Sequence, residues 1–244
     1  MSGHSKWHNI ARKKGLVDAK RAKVFTRYAR EMAIAIREGG ADPAGNSKLK
    51  DVIAKAKGDN VPNDNITRIL QKYQGGAQAE NYEYITYEGY GPAGVAVIVD
   101  TLTDNRNRTV GEVRHYFDKY GGNMGAAGCV SWQFDKKGVL VIERDEQDED
   151  ELMMQVLEAG ASDFSAEEDV FEVTCEPDEL DRVKDALSAL GLTFLEAEVQ
   201  MVPQNYMALT GEDDVKNMNK LLEMLEENDD VQNVWHNWEN ADEE

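Results

Sequence analysis

The chain has 244 residues, 47 acidic against 27 basic, for a formal net charge of −20, with 41% hydrophobic residues and five Pro. That balance is that of a folded globular protein rather than a disordered one, and the length points to two or three domains instead of one continuous core. The longest aliphatic run, Val95 to Val99, is far too short to span a bilayer, and the N-terminus has no apolar segment that reads as a secretory signal. Cys129 and Cys175 are the only cysteines and lie too far apart in sequence for a disulfide framework or zinc knuckle, so a cytoplasmic location and no membrane association are expected.

The charge is partitioned. Residues 1–72 hold 16 Lys and Arg against 7 Asp and Glu, leaving the rest of the chain with 11 against 40. A basic module joined to an acidic body points to a nucleic-acid partner for the basic end.

In chain order, residues 2–15 are polar, basic and punctuated by Gly, and read as an arm with Trp7 as its one large side chain. The stretch from Val17 to Glu38 has helical periodicity and stops at Gly39-Gly40. At 100° per residue, Lys20, Lys23, Arg27, Arg30 and Arg37 fall within about 100° of arc, and Phe25, Tyr28, Ala29, Met32 and Ile36 share another. The spacing predicts one packed face and one open cationic face. Two shorter helices, Ser47 to Lys57 and Asp64 to Tyr73, complete a bundle.

Beyond the linker-like Gly75–Ala79 come strands at Tyr82–Gly89 and Gly94–Leu102, a helix predicted to begin at Thr109 with Glu112 as a capping box, and a strand at Cys129–Phe134. From Lys137 the order is strand, helix, short strand near Phe164, strand, helix, strand, which is the ferredoxin-like β-α-β-β-α-β arrangement. A last helix, Asp213 to Glu226, and a strand-like Val231–Trp238 are too little for a domain and are expected to return to the sheet begun at Tyr82. The fold class is thus α+β with three domains: a basic helical bundle with its arm at 1–78, a discontinuous central α+β domain at 79–134 plus 206–244, and an acidic ferredoxin-like insertion at 135–205.

Several motifs have a plain structural explanation. Gly89–Gly94, GYGPAG, spells G-x-G-x-x-G, but it contains Pro92 and leads into strand sequence instead of opening a helix, so it reads as an interstrand turn and not a dinucleotide loop. His4 and His8 are four apart with no acidic or Cys partner in a metalloenzyme pattern. Residues 143–185 hold 18 acids against 3 bases, mostly solvated helix faces. No P-loop, G-x-S-x-G or Cys-His signature is present. No catalytic residue, metal or cofactor is assigned, and the chain is not expected to be an enzyme; a metal-dependent hydrolase using the acidic body is the remote alternative.

The arranged cations carry the functional expectation. Arm residues Lys6, Arg12, Lys13 and Lys14 adjoin the stripe Lys20, Lys23, Arg27, Arg30 and Arg37, a string suited to displacing counterions from phosphates. Trp7 and His8 could stack on bases or sugars, or Trp7 could anchor the bundle. A smaller cluster, Arg106 and Arg108 before Thr109, could bind an anion at a helix N-terminus or pair with acidic neighbours and pin domains together. Base-specific recognition has weaker support, since the helix Asp64 to Tyr73 offers only Asn65, Arg68, Gln71 and Lys72 as readers.

The blocks SGHSKWHNI, KKGLVDAKRAKVFTRYAREM, KAKGDNVPNDNI, YEGYGPAGVAVIVDTLTDNRNRTVGEVRHYF and DDVQNVWHNW, met in this order through essentially the whole chain, resemble the YebC/PmpR family. The resemblance implies the same three-domain fold and a cytoplasmic DNA-binding transcriptional regulator, with a translational activator or ribosome-associated, rRNA-binding factor as the alternative. It singles out Gly3, His4, Ser5, Lys6 and Trp7, then Lys20, Arg21 and Phe25, and Asn105, Arg106, Asn107 and Arg108. The acidic body departs from a simple DNA-binding expectation, since a duplex would repel it, and could instead face basic ribosomal proteins.

Overall fold

The structure, a computed structural model, describes residues 17–77, 80–144, 148–167 and 169–239, with side chains from residue 23 onward. The N-terminal module consists of α1 (Val17–Gly39), α2 (Ser47–Gly58) and α3 (Asn63–Gln74). Tyr28, Met32, Ala33 and Ile36 of α1 close on Leu49 and Ala56 of α2, Val61, and Ile66 and Tyr73 of α3. One buried side chain sets the α1–α2 corner. Asn46 accepts the Leu49 N–H through Oδ1 (3.1 Å) as the α2 cap, while its Nδ2 donates to the Ala35 and Gly40 carbonyls. Glycine is required at 39 because a Cβ there would stand 2.8 Å from the Asn46 side chain.

The central sheet has the strand order β3-β1-β2-β8, built from β1 (Glu83–Tyr90), β2 (Ala96–Thr103), β3 (Asn123–Met124) and the late β8 (Val231–His236), all antiparallel. The GYGPAG segment is the turn between β1 and β2, as its sequence predicts. Helices α4 (Arg106–Lys119) and α7 (Glu212–Glu227) cover one face, where Val97, Val99, Phe117, Met218, Leu221 and Trp238 are buried together. The return of the chain's end to this sheet places β8 against β2.

Between these halves lies the second sheet, ordered β5-β6-β4-β7, from β4 (Phe134–Glu143), β5 (Asp163–Ala166), β6 (Val170–Cys175) and β7 (Glu196–Pro203), with α5 (Glu149–Glu158) and α6 (Leu180–Ala189) on one side. Its strands are antiparallel with the two outer connections crossing, which is the ferredoxin-like topology. The chain enters and leaves side by side, Phe134 opposite Pro203.

Two local expectations are corrected. Helix α4 starts at Arg106, capped by Asn105 Oδ1 on the Arg108 N–H (3.1 Å), not at Thr109. Asn outcompetes Thr as a cap, and Thr109 lies inside the helix with its hydroxyl otherwise engaged. The stretch Cys129–Gln133 is a tight turn, not a strand, and β4 begins only at Phe134. The cause is Glu88 on β1: its buried carboxylate accepts the N–H groups of Gly128, Val130 and Ser131 at 2.7, 2.9 and 2.8 Å, folding the loop around itself. Burial alone would raise the Glu88 pKa, but these backbone donors outweigh it and hold the carboxyl below its ordinary value.

Candidate nucleic-acid interface

The middle of the cationic face of α1, Lys23 to Arg30, is not an open surface; Lys23 and Arg30 pack on the central domain. Lys23 Nζ donates to the Glu226 carbonyl in the last turn of α7, where a cation complements the helix dipole. Arg30 reaches furthest, donating to the carbonyls of Leu102 (2.6 Å) and Asp229 (2.8 Å), pairing with the Asp230 carboxylate at 3.1 Å, and lying over the Tyr82 ring. Arg37 donates to Asn81 Oδ1. Arg27 pairs with Glu31 one turn on at 2.9 Å and feels Glu198 on β7. Helical periodicity located this face correctly, but periodicity states only that a face is cationic, not whether water or carboxylates meet it. The expectation of an open stripe is therefore narrowed: Lys23 and Arg30 are engaged with the central domain, Arg27 with Glu31, and Arg37 stays exposed beside Asn81.

Asp230 is the node of that contact. Its Oδ2 accepts from Thr109 Oγ1 (2.7 Å), Arg108 Nη2 (2.7 Å) and Thr103 Oγ1 (3.2 Å), while Oδ1 faces Arg30. Burial pushes its carboxyl up, yet the hydrogen bonds from Arg108 and Thr109 and the charges of Arg108 and Arg30 more than offset this and leave its pKa lowered.

This bears on half of the second cluster. Arg108 pairs with Asp230 and with Asp104 (2.9 Å), and Asn105 is spent on capping α4, so these two residues tie elements together. Arg106 and Asn107 remain exposed in the first turn.

The open cations of the bundle lie on α2, which the sequence reading passed over. Lys48, Lys50, Lys55 and Lys57 are all exposed. At 100° per residue, Lys50 and Lys57 line one edge of the exposed arc and Lys48 and Lys55 the other, with Ser47, Asp51, Ala54 and Gly58 between. Within each row the spacing is seven residues, about 10 Å along the axis. Lys48 pairs with Glu38 at 2.7 Å, but with its side chain 72% exposed the pair is worth little against solvent. The sevenfold spacing was the available signal. Arg68 on α3 is likewise exposed.

Gly3, His4, Ser5, Lys6, Trp7, Arg12, Lys13 and Lys14 lie outside the described residues, as do the side chains of Lys20 and Arg21 on α1. Among the described residues, no three His, Cys, Asp or Glu side chains are grouped to hold a metal ion. No described helix is long and apolar enough to cross a membrane.

A basic helical bundle leaning on an α+β body with a ferredoxin-like insertion defines the class of protein. Residues 5–76 match the TACO1/YebC protein N-terminal domain and residues 82–238 the TACO1/YebC second and third domain, so the chain belongs to that family. It is 56% identical over 239 residues to a probable transcriptional regulatory protein of Acetivibrio thermocellus, covering 98% of this chain and 99% of the relative. A probable transcriptional regulatory protein of Clostridium novyi is 57% identical over 244 residues, covering 100% and 99% respectively. The crystal structure of a conserved hypothetical protein from Aquifex aeolicus, 43% identical, superposes with a TM-score of 0.76 over 91% of this chain and 92% of that one.

Proposed function

We propose that this protein is a non-catalytic, nucleic-acid-binding regulator of gene expression acting in the cytoplasm, and that the basic bundle makes the contact. The observation that carries this is the double row of exposed lysines on α2, set on a module of net positive charge while the rest of the chain is acidic. In sequence, Lys6, Arg12, Lys13 and Lys14 with Trp7 add four further cations and an aromatic ring ahead of α1. DNA is the first target, in keeping with the transcriptional names of the relatives. Structured RNA, including ribosomal RNA, is the second, favoured by the scarcity of base-reading side chains on α3; two rows of lysines grip phosphates without reading sequence.

Lys50→Glu with Lys57→Glu tests the reading against duplex DNA and a structured RNA over a salt series. The variant is expected to bind at least about tenfold more weakly and to show a log–log salt slope shallower by about two. A variant that binds like the wild-type protein would remove α2 from the contact. Preference for one promoter duplex over random duplex by about 10³ supports the DNA reading, and its absence supports RNA.

A further inference from the structure

We infer that Trp132 and Tyr90 form a stacking platform for an unpaired base of single-stranded nucleic acid, a second contact that rests on the nucleic-acid reading above. Trp132 is 68% exposed and Tyr90 36%, and they are not scattered singly. The indole N–H of Trp132 and the hydroxyl of Tyr90 each donate to the same Cys129 carbonyl at 3.0 Å, which brings the two polar atoms within about 6 Å of one another. The Cys129 loop is itself fixed by the three N–H bonds to Glu88 and by the Gly125 N–H on the Glu88 carbonyl (2.8 Å), so both rings are held from below by a preformed turn. Beside them Gly125, Ala126, Ala127 and Gly128 are exposed and bear nothing larger than a methyl group, leaving room for a planar ring to approach.

The chemistry of the pair selects the ligand. Both polar tips are already satisfied by the protein's own carbonyl, so the exposed rings have π faces to offer and no donor left for a peptide carbonyl. Stacking on a flat heterocycle needs only those faces, and every base supplies one. A proline-rich peptide bound in an aromatic groove would leave its carbonyls without these donors. The site also lies at one end of a strand whose other end meets the bundle. Tyr84, Thr86, Glu88 and Tyr90 share one face of β1, α1 contributes Glu31 and Arg27 around Tyr84 at one end, and the platform closes the other, about 20 Å away. Between them the exposed Lys136 acts on Asp100, which pairs with Thr86 on the same face, and supplies a cation for an intervening phosphate.

The test uses the full-length protein and labelled probes: a short oligothymidylate, an abasic oligonucleotide of the same length and charge, and a proline-rich peptide. Trp132→Leu is expected to weaken oligothymidylate binding about tenfold and leave the abasic probe unaffected, while Trp132→Phe keeps most of the affinity. Equal binding of oligothymidylate by the wild type and Trp132→Leu overturns the platform while leaving phosphate contact intact. An equal loss on both probes overturns it too, as the signature of a general structural effect. Peptide binding that depends on Trp132 would reassign the site to a protein ligand. Failure of the wild type to hold either oligonucleotide overturns the platform, while the nucleic-acid reading itself stands or falls on the duplex and structured-RNA titrations.

Discussion

Asp230 concentrates more of the molecule's polar bonding than any motif in the sequence announces. Its side chain is 4% exposed and that of Arg30 is 13%, so the pair is strong only because Thr103, Thr109 and Arg108 complete its hydrogen bonds. Asp230→Ala deprives the Arg30 guanidinium of its paired carboxylate and removes the acceptor shared by Thr103, Thr109 and Arg108, and we expect a loss of about 3 kcal/mol in urea unfolding. In sequence this residue is one acid among 47, indistinguishable from solvated neighbours such as Asp229. Abundance hides a specific carboxylate, and only the partners brought from residues 30, 103, 108 and 109 reveal it. Trp132 was hidden for the opposite reason: a strand assignment for Cys129–Phe134 gave it an ordinary alternating place, when a distant Glu88 rewrites that backbone into a turn.

At the scale of elements, the contact of α1 with the end of α7 couples protonation to packing. Burial drives the Lys23 pKa from 10.5 to about 8 against the opposing pull of Glu226 and Asp229. Because the folded value is the lower one, the folded protein carries fewer protons than the unfolded chain between about pH 8 and 10.5. The contribution of Lys23 to stability therefore rises with pH across that window and is smallest below it. Lys23→Met removes the titrating group and keeps the aliphatic stem. It is expected to flatten the rise in urea midpoint between neutral and alkaline pH, and to cost little or nothing at neutral pH. The helices themselves were legible, α1 to α3 falling within a residue or so of their periodic patterns, because each has an apolar stripe and a Gly or Asn at its border. Their neighbours were not legible, since a helix's own sequence says nothing about which surface its polar face will meet.

For the molecule as a whole, the α+β class and the late return of β8 could be read from element order, because two leftover elements after Pro203 cannot bury a core of their own. The acidic insertion has its own core, with Leu140, Leu152, Phe171, Val183 and Leu187 buried together. Replacing residues 137–200 by a short Gly-Ser turn between Lys136 and Met201, which already face each other, is expected to leave the bundle and central sheet folded. Retained cooperative unfolding and retained binding of the oligonucleotide probes would check this, whereas loss of the central domain's near-UV signature would show that the two sheets fold as one.

Those same facing strands have a mechanical consequence. From Phe134 opposite Pro203 to Val141 opposite Glu196 the two passages of the chain are laced in register, and Gln204 adds backbone and side-chain bonds to Gln133 and Asp135 at the base. A ribbon of this kind is stiff in its own plane and yields across it, unlike a pair of loose tethers. The negatively charged lobe is therefore seated rather than dangled: Met201 at the foot of the ribbon packs against Ala96, Ile98, Val130 and Phe134, which fixes the lobe's heading relative to the central sheet.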